Sequence, residues 1–177
     1  MPAARLAAAR LTIVTTPTLR PITDADVPAV LTLNHRYVEV LSPLDAERLE
    51  WLVGLADRAE VLELGGEVAG FVVTFRPGSA YDSENYCWFA ERFGAEFYYL
   101  DRIVVAEHLR RRGLARFVYD AMEEAAQDYG RMALEVNVDP PNTGSLAFHG
   151  QRGYAEVGRL GEPGHAVALL VKELAAP

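Results

Sequence analysis

Residues 97–130, FYYLDRIVVAEHLRRRGLARFVYDAMEEAAQDYG, constrain the fold more than any other stretch. Phe97–Val105 is dense in aromatic and branched side chains and predicts a strand. After Gly113, the residues Leu114, Phe117, Val118, Ala121, Met122, Ala125 and Tyr129 recur at the three-and-four spacing of a buried helical stripe, with Glu123, Glu124 and Asp128 outside it. The joint between strand and helix holds Arg110, Arg111, Arg112 and Gly113. A glycine there permits an unusual φ and lets another group approach the backbone. The first amides of the helix have no intrahelical partners and carry the positive end of its dipole, so the joint can bind an anion. Arginines add paired bonds to phosphate oxygens. The alternative is a solvated arginine cluster beside an ordinary helix start. Neither a G-x-G-x-x-G turn after a strand nor a glycine-rich loop ending in G-K-[ST] is present.

The rest of the chain supplies further strands and helices. Thr18–Ile22 reads as a strand, and Asp24 as the cap of a helix through Val27, Val30, Leu31 and Val38. Leu49, Leu52, Val53 and Ala56 share one face of a second helix started by Pro43 and Asp45. Glu60–Leu64 and Val68–Phe75 flank Gly65-Gly66, a hairpin signal. The segment 76–96 is irregular and aromatic, with one or two helical turns expected from Ser83 to Phe93. Residues 132–138 alternate as a strand, with Leu134, Val136 and Val138 on one face and Glu135 and Asn137 on the other. A short helix follows from 141 to Gly153, then two closing strands, 154–160 and 165–174. A short strand at Leu11–Thr15 is also expected, within an extension over residues 1–17. Residues 18–177 form a single domain, a size that 177 residues suit.

Composition narrows the function. The net charge of −8 argues against a nucleic-acid binder with a broad basic face. No apolar run approaches the length of a membrane span, and no signal peptide is read at the start, so a cytoplasmic protein without membrane association is expected. The single cysteine, Cys87, excludes an internal disulfide, suits a reducing compartment, and reads as a small buried hydrophobe. His35, His108 and His165 lack metal-ligand spacing, and no metal is expected.

Two motifs carry a family resemblance. VVAEHLRRRGLA is similar to motif A of the GCN5-related N-acetyltransferase (GNAT) superfamily, V-x-P-x-x-[RQ]-x-x-G-x-[GA], through Val105, Arg110, Gly113 and Ala115. Glu107 stands where proline is usual. ALEVNVDPPNTGSLAFHGQRGYAEVG resembles the following motif B, with Asn142, Ser145, Phe148, Gly153 and Tyr154 in the expected slots. TLRPITDADVPAV is similar to the family's opening. The resemblance spans Thr18 to Leu174. It implies an α/β fold of α+β type: a mixed, mostly antiparallel, twisted sheet of about six or seven strands with about four helices on both faces. It also implies acetyl-CoA as the donor and a small-molecule or peptide amine as the acceptor, the alternative being a non-catalytic acyl-CoA-binding sensor or scaffold on the same fold. Backbone amides of Arg111, Arg112, Gly113, Leu114 and Ala115, with Arg110, would hold the pyrophosphate. The strand Ile103, Val104 and Val105 would pair with the pantetheine amides beside a gap where two strands splay. Phe148 falls in the coenzyme-binding set. Asn142 would lie near the pantetheine or cap the last helix.

Acyl transfer to an amine needs a base, a donor for the oxyanion and a proton for the departing thiolate. Glu135 and Asp101 are the candidate bases. In relatives that acetylate protein N-termini, a glutamate at the place of Glu135 has this role. A carboxylate in mid-strand is costly unless paired or wet, so Glu135 points to function or to an ion pair with Arg102 or Arg131. Asp101 is expected to face with Ile103 and Val105, sharing that face with Tyr99. The family's acid is usually a tyrosine seven residues after the motif-B asparagine, and His149 holds that slot. It either donates a proton or packs against the coenzyme. A Ser145/His149 nucleophilic pair lacks a G-x-S-x-G elbow. For the acceptor, Tyr81, Tyr86 and Trp88 with nearby acids suit an ammonium or an aromatic ring. The same rings could instead cover core or join two copies in a homodimer.

Overall fold

The computed structural model describes residues 16–175; the expected strand at 11–15 lies outside them. Gly65 and Gly66, with φ of 64° and 84°, close a two-residue turn between β2 (Arg58–Leu64) and β3 (Glu67–Phe75). Positive φ at both turn positions matches the right-handed twist of the flanking strands. Around this hairpin lie β1 (Thr18–Pro21), antiparallel to β2, and β4 (Tyr98–Val105), antiparallel to β3. β5 (Arg131–Asp139) runs parallel to β4. β7 (Ala166–Glu173) and β6 (Ala155–Leu160) complete the sheet in the order β1-β2-β3-β4-β5-β7-β6.

Alternating side chains feed two cores, one on each face. On one face α1 (Val27–Arg36), α2 (Ala46–Leu55) and α3 (Glu84–Phe93) cover Phe71, Val73, Phe75, Tyr99 and Ala133. On the other, α4 (Leu114–Ala125) and α5 (Thr143–Gln151) lie over Val72, Tyr98, Leu100, Met132 and Leu134. The mixed α/β sheet of seven strands is as expected, with five helices. The additional helix is α3, a full ten residues capped by the Ser83 hydroxyl, where one or two turns were expected. Its buried anchors are Tyr86 and Phe89. Cys87 lies outside that buried pair and is exposed, contrary to expectation. In α4, Tyr119 turns inward beside Leu114, Val118 and Met122.

A bulge in β4 decides the site. Val73 pairs with Arg102 and Thr74 with Leu100, so Asp101 is an extra residue on β4. Two successive side chains at a bulge share a face, and alternation resumes out of phase. Tyr99 and Val104 therefore belong to the α1–α3 side, whereas Ile103 and Val105 pack on the α4–α5 side. Strict alternation, which placed Asp101 with Ile103 and Val105, fails for this reason. The bulge also ends the parallel pairing. β4 and β5 share only Tyr98↔Met132 and Tyr99↔Ala133 before they diverge.

Candidate active site

The divergence of β4 and β5 opens a cleft through the middle of the sheet. Leu100–Val105 line one wall and Leu134–Asn137 the other. Backbone groups on these facing edges have no cross-strand partner in each other, so an extended ligand can hydrogen-bond there as a strand would.

The chain leaves β4 through a single helical turn, Glu107–Leu109, and then bends sharply. Arg111 has φ of 63° and Gly113 has φ of 81°. Arg111 is the one non-glycine residue with positive φ among the described residues, a conformation that costs energy for an ordinary side chain. Gly113 is the N-cap of α4 without a side-chain cap, and the first turn-closing bond runs from the Phe117 N–H to the Gly113 carbonyl. Among the described residues, the amides of 111–115 have no hydrogen-bond acceptor. A Cβ at Gly113 would meet nothing within 4 Å, so the turn is open on that side. Arg110 borders the cleft, its guanidinium 4.7 Å from the Tyr37 ring. Open donors and arginine charge at one end, with a strand edge leading away, fit a long ligand carrying a diphosphate and amides.

Where the strands part, two carboxylates meet the cleft. Glu135 accepts a hydrogen bond from the Tyr99 hydroxyl at 2.6 Å. Burial, and next the charge of Asp101, push the Glu135 carboxyl up to about 8, against the pull of hydrogen bonds from Tyr99 and Asn85. Asp101 accepts from the Tyr81 hydroxyl and, at 2.6 Å, from Arg102 Nε. Arg102 Nη1 donates to the Asn34 carbonyl at 3.1 Å, and Asn34 Nδ2 donates to the Ser42 backbone carbonyl at 3.0 Å. The bulge allows this network by putting Asp101 and Arg102 on the same side. Neither Arg102 nor Arg131 pairs with Glu135; Arg131 instead bonds Glu96 and Glu173.

A second opening reaches the same point. Ser42, Tyr81, Asn85 and His165 border it, and it shares Asp101, Arg102 and Glu135 with the first. Arg48 and Asp82 form an ion pair at its mouth. Of the three rings expected at the acceptor, only Tyr81 lies here, stacked on Phe75 at 4.1 Å. Tyr86 is buried, its hydroxyl donating to the Arg76 carbonyl at 2.7 Å. Trp88 packs over Gly158, where a Cβ would approach the indole to 2.7 Å. Both serve the core, because the helix of α3 turns their faces away from the opening.

On α5, the Asn142 side chain caps the helix by accepting from the Ser145 N–H at 3.1 Å, and it also lines the cleft. His149 lines the cleft as well but is only 4% exposed. Its Nδ1 lies 2.7 Å from the Ser145 carbonyl oxygen, which fixes the ring proton there. Nε2 then accepts from the Tyr119 hydroxyl at 2.6 Å. Burial lowers the His149 pKa, so the ring is neutral and its one N–H is already engaged. Phe148 packs edge-on against Tyr119, with centroids 5.1 Å apart, and is not in the cleft wall. Sequence reasoning missed Tyr119, Asn34 and Asn85. Only Asn34 left a signal, a polar residue within the apolar face of α1.

Among the described residues no helix is long and apolar enough to cross a membrane, and no three metal-binding side chains gather. Solved structures share this architecture. The chain is similar to Ard1 from Thermoplasma volcanium (16% identity, TM-score 0.69, covering 90% of this chain and 98% of that one). It is also similar to a ribosomal-protein-alanine N-acetyltransferase from Brucella melitensis (22% identity, TM-score 0.65, 89% and 99% covered). A third is described as a putative phosphinothricin N-acetyltransferase (20% identity, TM-score 0.65, 90% and 99% covered). A model of the acetyltransferase (GNAT) family matches residues 28–154, a span containing both clefted strands, the arginine turn and the capped α5, and the chain therefore belongs to that family.

Proposed function

We propose that this protein transfers an acetyl group from acetyl-CoA to a primary amine by direct attack, both substrates being bound together. The observation that carries this reading is the meeting of two openings at Glu135 and Asp101, one leading from the arginine turn and the other from solvent. The bound coenzyme supplies an activated thioester. The amides of Arg111–Ala115, with Arg110, would hold its diphosphate, and the exposed edge of Ile103–Val105 would align its amide-bearing arm.

The amine arrives as an ammonium and must lose a proton. Glu135 is the proton acceptor, at Oε1 or Oε2, directly or through one water. Its raised pKa makes the carboxylate a stronger base, and that form is populated as pH rises through about 8. Asp101 is tied to Tyr81 and Arg102, one bond on each oxygen, and acts on Glu135 through its charge. His149 has no uncommitted N–H, which favours its packing role over its acid role. His149, Tyr119 and Asn142 hold the α5 wall of the cleft in place.

The test combines binding and turnover. Acetyl-CoA at 100 times its Kd should raise stability by about 2.7 kcal/mol. Gly113→Val, strained at φ 81° and projecting from the open side of the turn, should abolish that shift without unfolding the chain. Thiol release with a panel of primary amines should follow in the parent and fall by at least ~100-fold in Glu135→Gln. An unaltered shift in Gly113→Val, or no thiol release with any amine, would overturn the proposal.

A further inference from the structure

Arg102 is only 5% exposed, yet it borders both openings at the point where they meet. Its guanidinium has five N–H donors in a fixed fork. Nε is bonded to Asp101 and Nη1 to Asn34, and the Tyr81 oxygen, its proton given to Asp101, can still accept one guanidinium N–H. Of the five N–H groups, Asp101, Asn34 and Tyr81 occupy at most three among the described residues, and the other two are not sealed in the interior. Arginine N–H groups held this way, facing a cleft, fit a carboxylate.

Charge balance points the same way. Asp101 neutralises Arg102, and Asp82 neutralises Arg48. Glu135 holds its proton until about pH 8. Beside Glu135, then, the cleft holds ion pairs and a partly open arginine fork, and the one further carboxylate on the second opening, Glu84, is exposed on α3. An acceptor with only positive charges would set its second charge against Arg102. A zwitterion would set its amine against Glu135 and its carboxylate against Arg102. Both side chains lie on the α1–α3 side, Glu135 bonded to Tyr99 and Arg102 to Asp101 and Asn34, and both border the two openings.

We infer that the acceptor is a free α-amino acid, its carboxylate held by Arg102 while its amine faces Glu135. This rests on the acetyl-transfer reading above. A peptide N-terminus carries an amide in place of that carboxylate and would leave the fork without an anion.

The experiment uses the twenty common L-amino acids and, for each hit, its carboxamide and its decarboxylated amine. Thermal shifts are read without coenzyme, and kcat/KM is read with acetyl-CoA. The amino acid should stabilise the chain where its amide does not, and should exceed the amide and the amine in kcat/KM by roughly tenfold or more, the worth of one charge-assisted bond. In Arg102→Met the preference, read as a ratio of kcat/KM values within the variant, should shrink to about threefold or less. Should that variant fail to fold, the parent comparison decides alone. Equal use of amide, amine and amino acid, or a preference that survives in Arg102→Met, would overturn the inference and leave acetyl transfer standing. An amino acid that binds in preference to its amide but is never acylated would overturn acetyl transfer and its acceptor together, leaving only a carboxylate site at Arg102.

Discussion

Glu135 gives the sharpest prediction, because its two states differ in a way that stability measurements read directly. The carboxyl moves from an ordinary 4.5 to about 8 on folding, through burial first and the charge of Asp101 second. Between those values the folded chain keeps a proton that the unfolded chain has released. Native protein then binds more protons than unfolded protein, so stability falls as pH rises. Each pH unit in the window costs about 1.4 kcal/mol, and the whole gap corresponds to roughly 5 kcal/mol. Glutamine has the shape of the protonated side chain and can still accept from Tyr99, but it does not titrate. Glu135→Gln should therefore match the parent near pH 5 and exceed it increasingly up to pH 8, levelling off above. Urea unfolding at pH 5, 6, 7, 8 and 9 checks this, with unchanged m-values confirming that both chains expose the same surface. In Asp101→Asn the Glu135 window should narrow without closing, since burial is the larger cause. Parallel stability curves for the parent and Glu135→Gln would refute the account of a desolvated carboxyl at the fork.

Two further substitutions probe the frame around the site. Gly70→Ala would drive a Cβ into the Val104 backbone carbonyl on the neighbouring strand, so it should cost about 1–3 kcal/mol in urea unfolding; a neutral result would contradict the close β3–β4 approach that seats the bulge. Tyr119→Phe should cost about 1–3 kcal/mol by stranding the buried Nε2 of His149. His149 itself, held below its ordinary 6.5 by burial, should make the parent lose stability as pH falls below about 6.5, where the unfolded chain takes up the proton first. His149→Asn should remove that acid sensitivity, and an unchanged pH profile would show that the ring is not buried as described.

The sequence by itself determined most of the elements and the arginine turn before α4. The α4 stripe, the Gly65-Gly66 hairpin, the Leu134/Val136/Val138 alternation and the arginine turn before Gly113 are all local patterns, set by residues within a few positions of each other. Tertiary structure decided which side chains face one another. The bulge at Asp101 depends on how β3 packs against β4, and no property of Asp101 announces it. That one extra residue reverses the facing of everything after it, sets Arg102 beside Asp101 and lets β4 part from β5. Likewise Tyr81, Tyr86 and Trp88 look alike in sequence, yet only Tyr81, which precedes α3, reaches the second opening. Long-range register is a competition among whole strands for burial and hydrogen bonds, and a stretch read in isolation contains only one of the competitors.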